Sequence, residues 1–334
     1  MHREVLLIVP THDHASTLDL AVRSVLEQTV ADLDVAIIGD GVGDDTREVV
    51  AQLLRADERV RFVDRPKSPS RAEDTRHELI TTSDATIVTY LGDDDLLLAD
   101  HVESMRGLLR EHDFAHPFPI LVDGDERLRA LPTDLGDPRC VAWHVDAGYN
   151  TVSLTGAAHT MDVYRRLPRG WEPAPPGRWP DHYMWEQILR LPGIRAVTAP
   201  RSTTIKPASD LRPGVDPAAR RASLEQWWDR MHQPGFRRWW DSEVADALRR
   251  SAVETYRDLA LEREQVQRLE ATNAELGELA STIPGLRAEL AALSDEAATA
   301  QAHLELIEAT RTWRLHDRVA RNRLARRVLA RRQG

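Results

Sequence analysis

VLLIVPTHDHASTLDLAVRSVLEQTVADLDVAIIGDGVGDDTREVV, residues 5–50, reads as strand, helix, strand, helix. Val5–Val9 is a continuous apolar run, the pattern of a strand covered on both faces. Leu18, Ala21, Val22, Val25 and Leu26 then recur at helical spacing, and Ser16 with Asp19 three residues on is a helix-start signature. Val35–Ile38 predicts a second strand. Asp45 with Glu48 marks another start, ahead of Val49, Val50, Leu53 and Leu54. Working outward, the alternation continues: strand Val60–Val63, helix Glu73–Thr81, strand Ala85–Leu91, helix Asp100–Leu109. Such alternation predicts a parallel sheet with helices on both faces.

In open sheets of this kind, ligands sit beyond the carboxyl ends of the strands. Three segments should meet at that edge: Pro10-Thr11-His12-Asp13, Asp40-Gly41 and Asp93-Asp94-Asp95. Like charges as close as three consecutive carboxylates resist ionising together. A divalent cation with hard oxygen ligands would offset the repulsion, and Mn²⁺ or Mg²⁺ suits carboxylates and phosphates. The plain alternative is a solvated acidic turn that caps the next helix. A basic set, Arg61, Arg65, Lys67, Arg71 and Arg76, lies between the acids and could clamp a diphosphate or simply face water. His12 and His14 have no third histidine nearby in sequence, so the segment reads as a polar loop rather than a zinc site. Gly41 and Gly43 form neither a dinucleotide fingerprint nor a phosphate loop.

The 334 residues suggest one large or two ordinary domains with appendages. A net charge of −10 argues against general nucleic-acid binding. Cys140 is the single cysteine, which excludes an intramolecular disulfide and a cysteine-based zinc site and fits a reducing cytosol. No segment approaches the roughly 20 apolar residues of a membrane span. We expect a cytoplasmic protein, with peripheral contact at the inner membrane face left open.

Residues 115–210 are less regular. Ala142–Val145 and Thr151–Leu154 read as short strands, PAPPGRWP (173–180) as a loop, and Asp181–Leu191 as a helix. Residues 216–250 form a helical region with two tryptophan pairs, Trp227-Trp228 and Trp239-Trp240. Farther on, Leu269, Leu276, Ile283, Leu290, Ala297 and Leu304 recur every seven residues, as do Thr272, Leu279, Leu286, Leu293, Ala300 and Ile307. This heptad pattern predicts a coiled coil. Pro284 interrupts it, so one kinked coiled coil and a helical hairpin both fit. From Arg311 to Gly334 there are nine Arg and one acid, Asp317, interleaved with Trp313, Leu315, Val319, Leu324 and Val328. A basic amphipathic helix of this kind suits a membrane surface.

Residues 5–50 together with ATIVTYLGDDDLLLADHV (85–102) resemble family 2 glycosyltransferases of the GT-A fold. The likeness is good over about 4–110 and looser to about 206. It implies an α/β, Rossmann-like nucleotide-diphospho-sugar transferase domain over 1–210, with 1–100 as the donor half and 101–210 as the acceptor half. A Trp-rich helical region (211–257), a coiled coil (258–309, broken at 284) and the basic tail (310–334) would follow. The resemblance places the donor on Pro10, Thr11, His12, Asp40, Arg76 and Asp93, and a metal, Mn²⁺ or Mg²⁺, on Asp94 and Asp95. It makes Asp181 the general base, with Glu186 as rival; residues 150–170 would line the acceptor side, with His159 as a sugar or diphosphate contact and Trp171, Trp179 and Trp185 as candidates to stack on sugar faces. Gly39, Val42, His77 and Pro180 depart from the family pattern. The implied reaction is inverting transfer of a sugar from a nucleotide diphosphate sugar to a hydroxyl of a glycan or lipid-linked acceptor, in cell-surface polysaccharide synthesis. The implied partners are that donor and acceptor; the heptads add self-association or docking to another coiled coil, and the acidic balance excludes nucleic acid. A non-catalytic assembly factor built on the same fold is the alternative. A nucleotidyltransferase is disfavoured because no Gly-rich phosphate loop stands near the N-terminus.

Overall fold

The computed structural model describes residues 3–207 and 216–330, without the side chains of 311–313 and 324–330. Trp313, Leu324, Val328 and residues 331–334 of the expected amphipathic tail therefore lie outside the described side chains or residues. The chain divides into two compact units, Met1–Thr255 and Tyr256–Gly334.

The first unit begins with β1 (Val5–Thr11), α1 (Ala15–Leu26), β2 (Leu33–Asp40), α2 (Asp44–Ala56), β3 (Val60–Arg65), α3 (Glu73–Thr81), β4 (Ile87–Tyr90), β5 (Leu96–Leu97) and α4 (His101–Leu108). It continues with β6 (Phe114–His116), β7 (Ile120–Val122), β8 (Leu128–Ala130), α5 (Pro138–Asp146), β9 (Ala158–Thr160), α6 (Met161–Arg165) and α7 (Pro180–Leu189). Then follow β10 (Ala196–Thr198), β11 (Thr204–Ile205) and α8 (Pro217–Met231); α9 (Phe236–Ala309) runs on into the second unit, which also holds α10 (Arg311–Ala330).

The main sheet has seven strands in the order β10-β6-β9-β4-β1-β2-β3. β1 pairs in parallel with both β2 and β4, and β9 is antiparallel between β4 and β6. The alternation of β1 shows why both faces must be covered. Val5, Leu7 and Val9 enter one core with α1, α2 and α4, whereas Leu6 and Ile8 enter another with α3, α6 and α7. A third core joins Leu224, Trp227, Phe236 and Trp240 to Leu20 and Leu96, so α8 and the start of α9 pack as part of the first unit. This is the α/β architecture with a helical extension that the resemblance implied.

Local readings changed in physically instructive ways. Ala142–Val145, expected as a strand, lies inside α5. The missed signal is Asp137-Pro138: Asp137 caps the helix by accepting from the Arg139 amide, and proline occupies the first turn. Thr151–Leu154 is a loop in which the Asn150 side chain accepts from the Val152 amide. Neither Ser16 nor Asp45 caps a helix: His14 and Gly43 hold those positions without side-chain caps. Pro284 neither breaks nor reverses the chain; α9 continues through it as a single helix, not a hairpin. Gly39 has a steric reason to depart from the family pattern, because a Cβ there would meet the Phe62 ring at 2.8 Å.

Three histidines in the core make an acid-stability prediction. Burial pulls His101 and His116 down to about 3 and His159 down to about 4. The unfolded chain binds protons below about 6.5 that these folded imidazoles refuse. Their contribution is therefore intact above pH 6.5 and lost as pH falls from there toward 3–4. Between pH 7 and pH 5, each should remove about 2 kcal/mol of unfolding free energy. Urea titrations at the two pH values measure this. Equal stabilities would mean that the three rings are protonated or solvated in the fold.

Candidate functional site

The carboxyl edge of the sheet collects the acids, as expected. β1 leads through His12 and Asp13 to His14 at the start of α1, and β4 leads through Leu91 and Gly92 to Asp93. His14 Nδ1 and Asp93 Oδ1 are 2.8 Å apart, and ligand atoms of His14, Asp93 and Asp94 all lie within 4.8 Å of one another. The polar-loop reading of His12 to His14 left out this grouping: His14 gathers with carboxylates from another strand, not with a neighbouring histidine.

Asp95 behaves differently from Asp93 and Asp94. Its side chain is 1% exposed, and Oδ2 accepts from Thr155 Oγ1 at 2.5 Å and from Lys206 Nζ at 3.1 Å. Burial raises its carboxyl to about 6, against the pull of Lys206. Burial would lower the Lys206 ammonium, but Asp95 and Asp94 outweigh this and hold it raised. A short antiparallel pairing creates this contact. Ile205 of β11 sits opposite Leu96 of β5, which carries Lys206 to the residue just before Leu96. Asp94 and Asp95 were the expected metal pair; the converging set is instead His14, Asp93 and Asp94, with Asp95 engaged by an ammonium.

Arg220 completes this wall from α8. Its guanidinium lies 2.5 Å from His14 Nε2 and 4.0 Å from Asp94. The Asp93 hydrogen bond draws His14 upward in pKa, and burial opposes it. Nδ1 faces Asp93 and Nε2 faces Arg220, so the ring bridges a carboxylate and a guanidinium. Beside it, Arg221 anchors α8 to the first turn of α1 through the Ser16 carbonyl and Asp19. Neither Lys206 nor Arg220 belongs to a sequence pattern that marked it, and each comes from more than 100 residues beyond the acids it meets.

A cavity of about 460 Å³ is lined by Asp181, Arg76, Arg71 and Trp179 together with Asp94, Asp95 and Lys206. Asp181 sits in the first turn of α7, where Oδ1 accepts from the His182 amide at 2.8 Å. Glu186, its rival, does not line the cavity. Its side chain is 6% exposed and paired with Arg178 at 2.5 Å. Arg76 is 4% exposed and stacks over Trp171, 4.7 Å from the ring centroid. Burial lowers its pKa, against nearby Glu73 and Asp181. Its Nε and Nη1 meet no acceptor among the described residues, although the guanidinium borders the cavity. A larger cavity of about 650 Å³ lies between residues 198–202 and α9, away from these acids.

The other expected site residues are placed as follows. Asp40 ends β2, where Lys67 Nζ (2.5 Å) and the Ser68 amide (2.6 Å) donate to it. Burial would raise its carboxyl, and these donors reverse that into a net lowering. Thr11 is buried at the end of β1 with Oγ1 unpaired among the described residues, while Pro10 is half-buried and His12 exposed. Two acceptor-side expectations are corrected. His159 is fully buried on β9, bonded to Tyr90 and to the Thr160 carbonyl. Trp185 is also fully buried, packed on Tyr90, Phe114 and Trp171, and donates to the Val152 carbonyl. Both are core residues, and the exposed tryptophan bordering the cavity is Trp179.

Residues 6–154 match the family described as Glycosyl transferase family 2. A GalNAc(5)-diNAcBac-PP-undecaprenol beta-1,3-glucosyltransferase of Campylobacter jejuni is 28% identical over 112 residues, 34% of this chain and 36% of that protein. A chondroitin synthase of Pasteurella multocida is 31% identical over 99 residues, 30% of this chain and 10% of that protein. The chain thus matches about a third or less of the length of these relatives. Among solved structures, S. aureus TarS 1-349 superposes with a TM-score of 0.46 at 12% identity, over 70% of this chain and 74% of that one. A mannosyltransferase from Pyrobaculum calidifontis, in complex with GDP-Man and Mn²⁺, does so at 0.44 and 16% identity, over 78% and 81%.

Proposed function

Residues 6–154 are a glycosyl transferase family 2 domain, and from that premise we propose that this protein is an inverting glycosyltransferase using a nucleoside diphosphate sugar. The observation that carries the reading is one cavity lined both by a carboxylate at a helix start, Asp181, and by His14 and Asp94 of the candidate cation cluster.

In this reading Asp181 accepts the proton of the acceptor hydroxyl. The hydroxyl oxygen attacks the anomeric carbon from the face opposite the leaving group. As the new carbon–oxygen bond forms, the bond from the sugar to the diphosphate breaks and a nucleoside diphosphate departs. Lys206 lines the cavity and Arg220 lies beside His14 and Asp94, so both are near where that charge would gather, and Nε and Nη1 of Arg76 can donate to donor oxygens. Asp93, Asp94 and His14 fit a divalent cation, being two hard carboxylates and an imidazole within 4.8 Å. A cation drawing on His14 would displace Asp93 from Nδ1 or Arg220 from Nε2. When bound, such an ion supplies Lewis-acid stabilisation of the diphosphate.

The Campylobacter relative's name carries a polyprenyl diphosphate-linked glycan acceptor. We extend that class, a lipid-linked glycan, to this chain, with surface-polysaccharide synthesis as its setting. No helix among the described residues is long and apolar enough to cross a membrane. The arginine-rich tail would hold the enzyme at an anionic surface. Deleting residues 311–334 should lower sedimentation with anionic liposomes; unchanged sedimentation would remove that role.

The test of the activity is release of nucleoside diphosphate from a panel of nucleotide sugars in the presence of lipid-linked glycans, with the anomeric configuration of the product read by NMR. Acceptor-dependent release with inversion supports the reading, and retention of configuration contradicts it. Arg76→Met should weaken nucleoside diphosphate binding by about 10- to 100-fold, since a charge-assisted donor is lost. Calorimetric titration measures this; unchanged affinity would place Arg76 outside the donor site.

A further inference from the structure

Within the second unit, the outward-facing residues of α9 form an apolar seam. Leu276, Leu279, Leu286, Leu290, Leu293 and Leu304 are each between 55% and 69% exposed. Together with Ile283, Ala297, Ala300 and Ile307 they recur at alternating spacings of three and four, which places them on one stripe of the helix. Pro284 and Gly285 follow the seam residue Ile283 directly, so they fall on the outer side, where neither obstructs a partner helix. The heptad repeat ends at Ile307: the next positions in phase are Arg311, Arg314 and Arg318. The seam is therefore bounded, and it has the pattern that a partner helix covers by knobs-into-holes packing.

The residues flanking the seam say what covers it. On one flank stand Glu275, Thr282, Glu289, Glu296 and His303; on the other stand Ala280, Arg287, Ser294, Gln301 and Glu308. In a parallel pair, each residue of the first flank faces the residue five positions on in the other chain. Glu275 then meets alanine, Glu289 serine, Glu296 glutamine and His303 glutamate, so no acid faces an acid. In an antiparallel pair over the same span each flank faces itself, which sets Glu289 against Glu289 and Arg287 against Arg287. We propose that a second copy of this chain covers the seam, parallel and in register, over residues 269–307. That arrangement also brings the arginine-rich tails of both copies to one end of the coiled coil.

The experiment uses the full chain in a Cys140→Ser background, with single cysteines at Leu276→Cys or Leu304→Cys. Sedimentation should give a mass above that of one chain. Mild oxidation should join copies at both positions, because parallel register sets each cysteine beside its counterpart. Leu286→Asp should return the protein to a monomer while the thermal transition of the first unit stays in place. A monomer at tens of micromolar overturns the proposal, whether or not that monomer gathers on anionic vesicles. Cross-linking at only one of the two positions, or at neither, overturns the parallel register.

Discussion

Asp181→Asn should lower the rate of sugar transfer by about 10²- to 10⁴-fold, the usual contribution of a general base, while donor affinity stays within about twofold. Asparagine keeps the size of the side chain and can still accept from the His182 amide, as Asp181 does at 2.8 Å. The first turn of α7 should therefore persist, and the lost element is the basic oxygen facing the cavity. Glu186→Gln separates the two candidate bases. Glu186 is buried against Arg178, so its variant should lose stability through the broken ion pair and retain transfer. Steady-state kinetics on both variants, with donor affinity measured separately, decides the matter. Full turnover by Asp181→Asn, or its loss in a folded Glu186→Gln, would reverse the assignment.

Lys206→Met should cost about 3 kcal/mol of stability at pH 7.5 in EDTA, because it leaves the buried Asp95 carboxylate without its cation. The pH dependence identifies the cause. The Asp95 carboxyl already stands raised to about 6, and removing Lys206 raises it further. A carboxyl raised by folding favours the folded state at low pH and loses that contribution as pH climbs from its unfolded value through its folded one. The deficit of the variant should therefore be small at pH 5, where Asp95 is largely protonated in the fold, and grow toward pH 8. Comparing variant and parent at each pH cancels the histidine effect common to both. A deficit independent of pH would mean that Lys206 contributes by packing rather than by neutralising Asp95.

These two residues mark how far the sequence could be read. The sheet was legible because β1 to β4 and their helices follow one another, each with its own periodicity. The strand ends therefore located Asp40 and the acidic triplet. Asp181 was legible through the family pattern. Lys206 and Arg220 were not, because their positions depend on tertiary pairings, β11 on β5 and α8 on α1. Single basic residues in irregular segments carry no spacing signal of their own. His159 and Trp185 failed for the opposite reason. They are residue types that often contact sugars, but the neighbouring aromatic core claimed both. The division of labour within the acidic triplet also needed the fold, since burial and the approach of Lys206 and Thr155 distinguish Asp95 from its neighbours.

The most direct test of the central claim is thermal unfolding of the full chain with a panel of nucleoside diphosphates and nucleotide sugars, each with and without Mn²⁺. At least one nucleoside diphosphate should raise the midpoint, more so with Mn²⁺ than without it. Asp94→Asn should abolish the Mn²⁺-dependent part, because Asp94 belongs to the converging set with His14 and Asp93. Ligand at 100 times its dissociation constant stabilises by about 2.7 kcal/mol, a shift of several degrees. No shift with any member of the panel, at millimolar ligand and with or without the metal, would contradict the assignment of this cavity to a nucleotide sugar.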